Sequence, residues 1–181
     1  ASLAALRHTL DSPAMASAVR SLAAAEVLGV VGMRASAALA THVGFFAQRI
    51  LPDVRVVTHE DDAADALVQM HEAGDAALLV LAMPRYPAST VRTLRRGRDL
   101  GLTTVLVVDS ALVDFAPDAG HVLVAPVSTG MVFDSHAAPV VLTMALLDGI
   151  AGVHHRRTQT RLEAHEALVD SWVHEPGSES G

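Results

Sequence analysis

A strand-turn-helix unit that occurs twice constrains this chain more than any other feature. Leu28-Gly29-Val30-Val31-Gly32-Met33-Arg34-Ala35-Ser36 forms one copy, and Leu78-Leu79-Val80-Leu81-Ala82-Met83-Pro84-Arg85-Tyr86-Pro87-Ala88-Ser89-Thr90 forms the other. In both, an apolar run too short for a buried helix stops at Gly or Pro, passes an arginine, and reaches Ser or Thr where a helical pattern starts. Each is a candidate anion cradle, because the first turn of a helix presents unpaired backbone N–H groups and partial positive charge. Two such turns converging on one crevice suit a phosphate or a carboxylate, which points to a small-molecule sensor or an enzyme.

The same alternation runs through the chain. Leu3, Leu6 and Leu10 share a helical face, and Asp11-Ser12-Pro13 reads as an N-cap with proline in the next first turn. The apolar stripe Met15, Val19 and Leu22 predicts a second helix over 13–25. Strands are predicted at 27–32, 54–58, 76–82, 103–108 and 122–125, mostly without polar interruption, as strands buried on both faces require. Helical patterns separate the first four: Leu39, Val43, Phe46 and Ile50; then Ala63, Leu67 and Met70; then Val91, Leu94 and Leu100. A loop at 126–134 leads to a long helical region over 135–173, with a break expected near Gly149 and Gly152. Strict strand-helix alternation predicts an α/β fold, a three-layer, doubly wound, five-stranded parallel sheet. Its commonest order is 2-1-3-4-5, with the switch point between strands 1 and 3, where ligands bind. The loops leaving those strands are the two cradles.

Composition removes several function classes. At 181 residues and 51% apolar, one domain with a full core is expected. No apolar run reaches the roughly 18 residues of a spanning helix, and no basic-then-apolar leader opens the chain, so no membrane contact is expected. Without cysteine there are no disulfides, thiolate nucleophiles or cysteine-bound metals, and a cytoplasmic home is expected. A net charge of −7 argues against the chain gripping nucleic acid by itself. Neither lysine nor asparagine occurs, which reads as codon bias of a GC-rich genome and removes Schiff-base and P-loop lysine chemistry. The 10 histidines include no pair at i, i+4 spacing, and a metal is not expected. No Gly-x-Ser-x-Gly elbow appears and no Gly-x-Gly-x-x-Gly follows a strand, so serine hydrolases and dinucleotide dehydrogenases lack support.

Residues 25–36, residues 78–91, and Phe133-Asp134-Ser135-His136-Ala137-Ala138 leading into Leu146-Leu147-Asp148-Gly149-Ile150 together resemble the sugar isomerase (SIS) domain of RpiR-type (MurR/RpiR) bacterial transcriptional regulators. The resemblance covers about residues 10 to 152. It implies a flavodoxin-like SIS fold that binds a metabolite, typically a phosphorylated sugar, and transmits occupancy to an N-terminal helix-turn-helix domain. It further implies that residues 1–12 end a linker helix from that DNA-binding domain, that 13–173 form the effector-binding domain, and that 174–181 are a disordered tail. The expected partners are a small acidic metabolite, a sugar phosphate or sugar acid, and further copies of the chain in a homodimer or tetramer. DNA is reached only through the N-terminal domain, and no cofactor is implied. One departure stands out. Where phosphosugar-binding members read Ser-x-Ser-Gly-x-Thr after strand 3, this chain resembles a Pro-Arg-Tyr variant, in which Pro84 and Pro87 remove two donors and Arg85 offers a two-pronged fork for an oxyanion.

The ligand-binding candidates are Gly32, Arg34, Ser36, Arg85, Tyr86, Ser89, Thr90, Ser135 and His136. Ser36 matches the family's first-loop phosphate hydroxyl and also sits where an N-cap would, as do Ser89 and Thr90 before the next helix. Tyr86 covers a ligand or packs against the core. Ser128, Thr129 and Gly130 join Ser135 and His136 after strand 5, near the pocket by resemblance. His59-Glu60-Asp61-Asp62 supplies a base or caps a helix with favourable charge. The arginines at 92, 95, 96 and 98 read as a solvated face. An aldose-ketose phosphosugar isomerase is the enzymatic alternative and needs a base from Glu60, His59 or His136. A structural dimerisation domain with a degenerate, apolar crevice is the third reading.

Overall fold

Five short apolar runs become β1 (Val27–Val31), β2 (Asp53–Val57), β3 (Ala76–Ala82), β4 (Thr103–Val108) and β5 (His121–Val124). In the computed structural model, which describes residues 2–127 and 132–172, they form one parallel sheet in the order β2-β1-β3-β4-β5. Ser128, Thr129 and Gly130 lie outside the described residues, as does the tail from 173 onward. Strands β1 and β3 are buried along their whole length, as their apolar sequences demand. The two edge strands are not. β2 and β5 are mostly half-buried, because each has a neighbour on one side only; Arg55 of β2 turns outward to Asp53 and Gln69.

The helices are α1 (Ser2–Leu10), α2 (Pro13–Ala23), α3 (Ala37–Ile50), α4 (Glu60–Ala73), α5 (Ala88–Asp99), α6 (Ala137–Val153) and α7 (His155–Val169). On one face of the sheet α1, α2, α3 and α6 bury a core that includes Leu22, Val43, Leu79, Leu142 and Leu146. On the other, α4 and α5 cover Leu67, Met70, Leu78, Leu94 and Leu106. The expected N-cap is in place, Ser12 Oγ accepting the Met15 N–H at 3.1 Å with Pro13 following. Leu6 of α1 is 1% exposed, and Thr9 Oγ1 donates to the Val124 carbonyl at 2.7 Å, which ties α1 to edge strand β5.

The long C-terminal helical region breaks at His154, two residues past Gly152 and so near the glycines as expected. His154 leaves helical geometry (φ −112°, ψ 40°), its Nε2 lies 2.6 Å from the Ala23 carbonyl oxygen, and α7 departs at 108° to α6. Gly149 serves close packing instead: a Cβ there would come within 2.8 Å of Val19 Cγ2 on α2. No single helix among the described residues is long and apolar enough to cross a membrane.

Candidate functional site

The two cradle loops meet. Gly32 ends the first strand's run with its N–H on the Val57 carbonyl oxygen at 3.1 Å, and a Cβ there would lie 2.5 Å from the Ser36 carbonyl oxygen. Only glycine lets the following turn fold back this closely on the strand. The chain then passes through Arg34 in left-handed geometry (φ 54°) into a 3-10 turn, Arg34–Ser36, and on into α3. The second loop repeats the device, with Arg85 at φ 69° ahead of α5. A left-handed conformation costs a non-glycine residue about 1–2 kcal/mol. Two arginines held this way at corresponding places beside one cleft mark it as a functional candidate.

Ser36 fastens the loops together. It is 2% exposed, and its Oγ accepts the Met83 N–H at 3.3 Å rather than capping α3. The hydroxyl proton has no acceptor among the described residues. Tyr86 is anchored sideways, its hydroxyl donating to Asp109 at the end of β4 and its ring edge-on to Phe115 at 5.2 Å. Burial, reinforced by the hydrogen bond and the charge of Asp109, pushes the phenol up to about 12. Tyr86 is therefore a neutral, fixed wall.

Between these loops and the segment before α6 lies a cleft of about 690 Å³. Met33, Arg34, Ala35 and Ser36 line one side, residues 83–88 the second, and Phe133, Asp134 and His136 the third. Arg34 and Arg85 are exposed on it, and neither forms an ion pair among the described residues. The N–H groups of Arg34, Ala35, Ala88 and Ser89 likewise meet no acceptor there, as expected at helix starts. The crevice is neither closed nor plugged by aliphatic side chains, the condition set for a degenerate pocket.

Of the sequence candidates, Arg34, Ser36, Arg85, Tyr86 and His136 line the cleft. Gly32, Ser89, Thr90 and Ser135 do not. Gly32 shapes the first turn, and Ser135 Oγ takes the Ala137 N–H at 3.5 Å at the start of α6. The Ser89 carbonyl accepts the Thr93 hydroxyl, and Thr90 is 1% exposed with its hydroxyl unpartnered among the described residues. His59 bonds Thr58, Glu60 is held by Arg92, and neither reaches the cleft. The arginine row is a solvated face: Arg95 and Arg98 converge on Asp118, whose carboxyl the Arg95 hydrogen bond holds below its ordinary range. Phe133, Asp134 and the anchoring Asp109 are absent from the candidate set. Asp109 is the polar residue ending β4 on the same sheet edge, a position that could have flagged it.

No family model matches the chain, and no curated protein does. Among solved structures, the sugar isomerase domain of the RpiR transcription factor from Sphaerobacter thermophilus superposes with a TM-score of 0.82, at 25% identity over 92% of this chain and 94% of that one. The fold is that of a sugar isomerase (SIS) domain. The Vibrio vulnificus NanR protein, complexed with ManNAc-6P, shares the SIS fold at a TM-score of 0.79 and 12% identity over 96% of this chain and 67% of that one. MJ1247 from Methanococcus jannaschii, for which a 3-hexulose-6-phosphate isomerase function was inferred, does so at 0.65 and 10% over 90% and 92%. The SIS neighbours thus include a transcription factor, a sugar-phosphate complex and an isomerase-like protein.

Proposed function

We propose that this SIS domain is the effector-sensing part of an RpiR-type transcriptional regulator, and that its cleft takes a phosphorylated sugar or another acidic carbohydrate metabolite. The observation that carries this is the pairing, around one cleft, of two arginines that form no ion pair among the described residues with helix-start N–H groups that meet no acceptor there. These are the donors an oxyanion requires. NanR, which shares the fold, is complexed with a sugar phosphate. Arg34, Ser36, Arg85, Tyr86 and His136 contact the metabolite in this reading, while Gly32, Ser89, Thr90 and Ser135 hold the loops in shape. Residues 1–12 end a linker from an N-terminal helix-turn-helix domain, 13–173 sense the effector as a dimer or tetramer, and 174–181 are a tail. Occupancy acts by population shift, the ligand favouring one subunit arrangement that α1 passes on.

Calorimetry against a panel of sugar phosphates, sugar acids and compounds carrying both groups tests it. Arg85→Ala should weaken the tightest binder about tenfold or more, the loss of a charge-assisted hydrogen bond. A panel that gives no binding, or a tightest binder indifferent to Arg85→Ala, overturns the proposal.

His136 favours a second reading, phosphosugar isomerisation, because it alone of the three base candidates reaches the cleft. Aldose-to-ketose turnover that disappears in His136→Ala would establish that activity. Binding without turnover favours the sensor.

A further inference from the structure

The elbow between α6 and α7 encloses a second cleft, of about 610 Å³. Ala151, Gly152 and Leu162 give it an apolar floor, and Asp148, Glu163 and Glu166 stand among its lining residues. A Cβ on Gly152 would meet no atom within 4 Å, so the packing of the described residues does not demand a glycine there. The far end of α7 carries the complement. Trp172, the chain's 1 tryptophan, closes the 3-10 turn that follows the helix and is 78% exposed. At 1.5 Å per residue, α7 holds the indole roughly 20 Å from the elbow, so a molecule does not fill its own cleft with it.

The charges of α7 are ordered against its dipole. Arg156 and Arg157 stand in the first turn, where partial positive charge already lies, and Glu163 and Glu166 come later. Neither arginine forms an ion pair among the described residues. A second α7 running antiparallel answers both points, because it sets acids beside the start of the helix and bases beside its end. One rod with a cleft at one end and an exposed aromatic at the other is also self-complementary under a two-fold axis.

We infer that two copies of the chain associate through α7, antiparallel about a two-fold axis near Leu162, each Trp172 seated in the other copy's elbow cleft. The elbow and Trp172 lie roughly two to three turns on either side of Leu162, so the spacing closes. Leu162, itself partly exposed, meets its own copy at the centre, and Glu166 of one copy lies beside Arg156 of the other. This rests on the proposed function only in taking the domain to be an assembly of copies, and it names the surface that joins them.

Sedimentation and the emission of the indole, both followed as concentration rises, test the pairing on the whole chain. Mass should climb from monomer to dimer while the emission shifts to the blue over the same range. Trp172→Ala should weaken association about thirtyfold or more, as loss of a hot-spot tryptophan does. Gly152→Leu, which intrudes on the cleft with a better helix former, should weaken association without lowering the monomer's stability. Arg156→Glu and Glu166→Arg should each weaken it about threefold or more, and the two together should recover the loss. A dimer whose emission does not move, or that ignores Trp172→Ala, overturns the inference and leaves the assembly to another face. Failure of the double charge reversal to recover what the single ones lose also overturns it. A chain that stays monomeric at every concentration overturns the inference together with the assembly in the proposed function.

Discussion

Arg34 and Arg85 hold the same left-handed turn on two loops where glycine would be less strained. Replacing either with glycine relieves about 1–2 kcal/mol of strain and adds back about 0.5–1 kcal/mol of unfolded-state entropy. Chemical denaturation of Arg34→Gly and Arg85→Gly should therefore show unchanged or slightly raised stability, while calorimetry shows weaker ligand binding. Loss of stability in both variants would mean the arginines hold the fold and not a ligand. Tyr86 permits a second check because it is the chain's 1 tyrosine, so its absorbance titration reads a single group. The phenol should titrate near 12 rather than the ordinary value of about 10, and Asp109→Ala should lower the midpoint. The raised value also sets a sign for stability. The contribution of the neutral phenol is complete below pH about 10 and is lost as pH climbs towards 12. Sequence identified both arginines because the motif places them at strand ends. It missed how Ser36 and Tyr86 are held, since their partners Met83 and Asp109 lie 47 and 23 residues away.

Elements were legible wherever local pattern and burial agree. β1, β3 and β4 read as strands because helices cover both faces of the sheet there, and the cap at Ser12 is written within a few residues. The break after α6 falls two residues beyond Gly152, close to where the glycines point, and its exact place has a definite reason. It is fixed by the contact from His154 to Ala23, 131 residues away, while Gly149, which looked like a breaker, is a contact point for Val19. Gly149→Ala should therefore destabilise the fold by about 1–2 kcal/mol net despite alanine's better helix propensity, because Val19 is stiff within its helix and cannot swing aside. Denaturant melts of Gly149→Ala alone and combined with Val19→Ala test this; the second change should recover part of the loss. A neutral Gly149→Ala would show that α2 and α6 have slack at that crossing.

At the scale of the molecule, a ligand that binds only the folded domain must stabilise it. A compound at a hundredfold excess over its Kd adds about 2.7 kcal/mol, which for a chain of this size raises Tm by roughly 5–10 °C. Differential scanning fluorimetry should show that rise with the tightest binder and a smaller one in Arg85→Ala at the same concentration. Strand-helix alternation pointed to a parallel sheet, and the commonest doubly wound order then supplied the strand neighbours and the meeting of the two loops. The third wall of the cleft was not, because Phe133 and Asp134 sit in a connection without periodicity. That wall has a mechanical corollary. His136 immediately precedes α6, a rod of 17 residues, and α1 packs along α6 while Thr9 clasps β5. In the proposed sensor, a guest that tugs at His136 would pull on the beam against which the opening helix is braced, because the cleft's third wall and that brace share one rod.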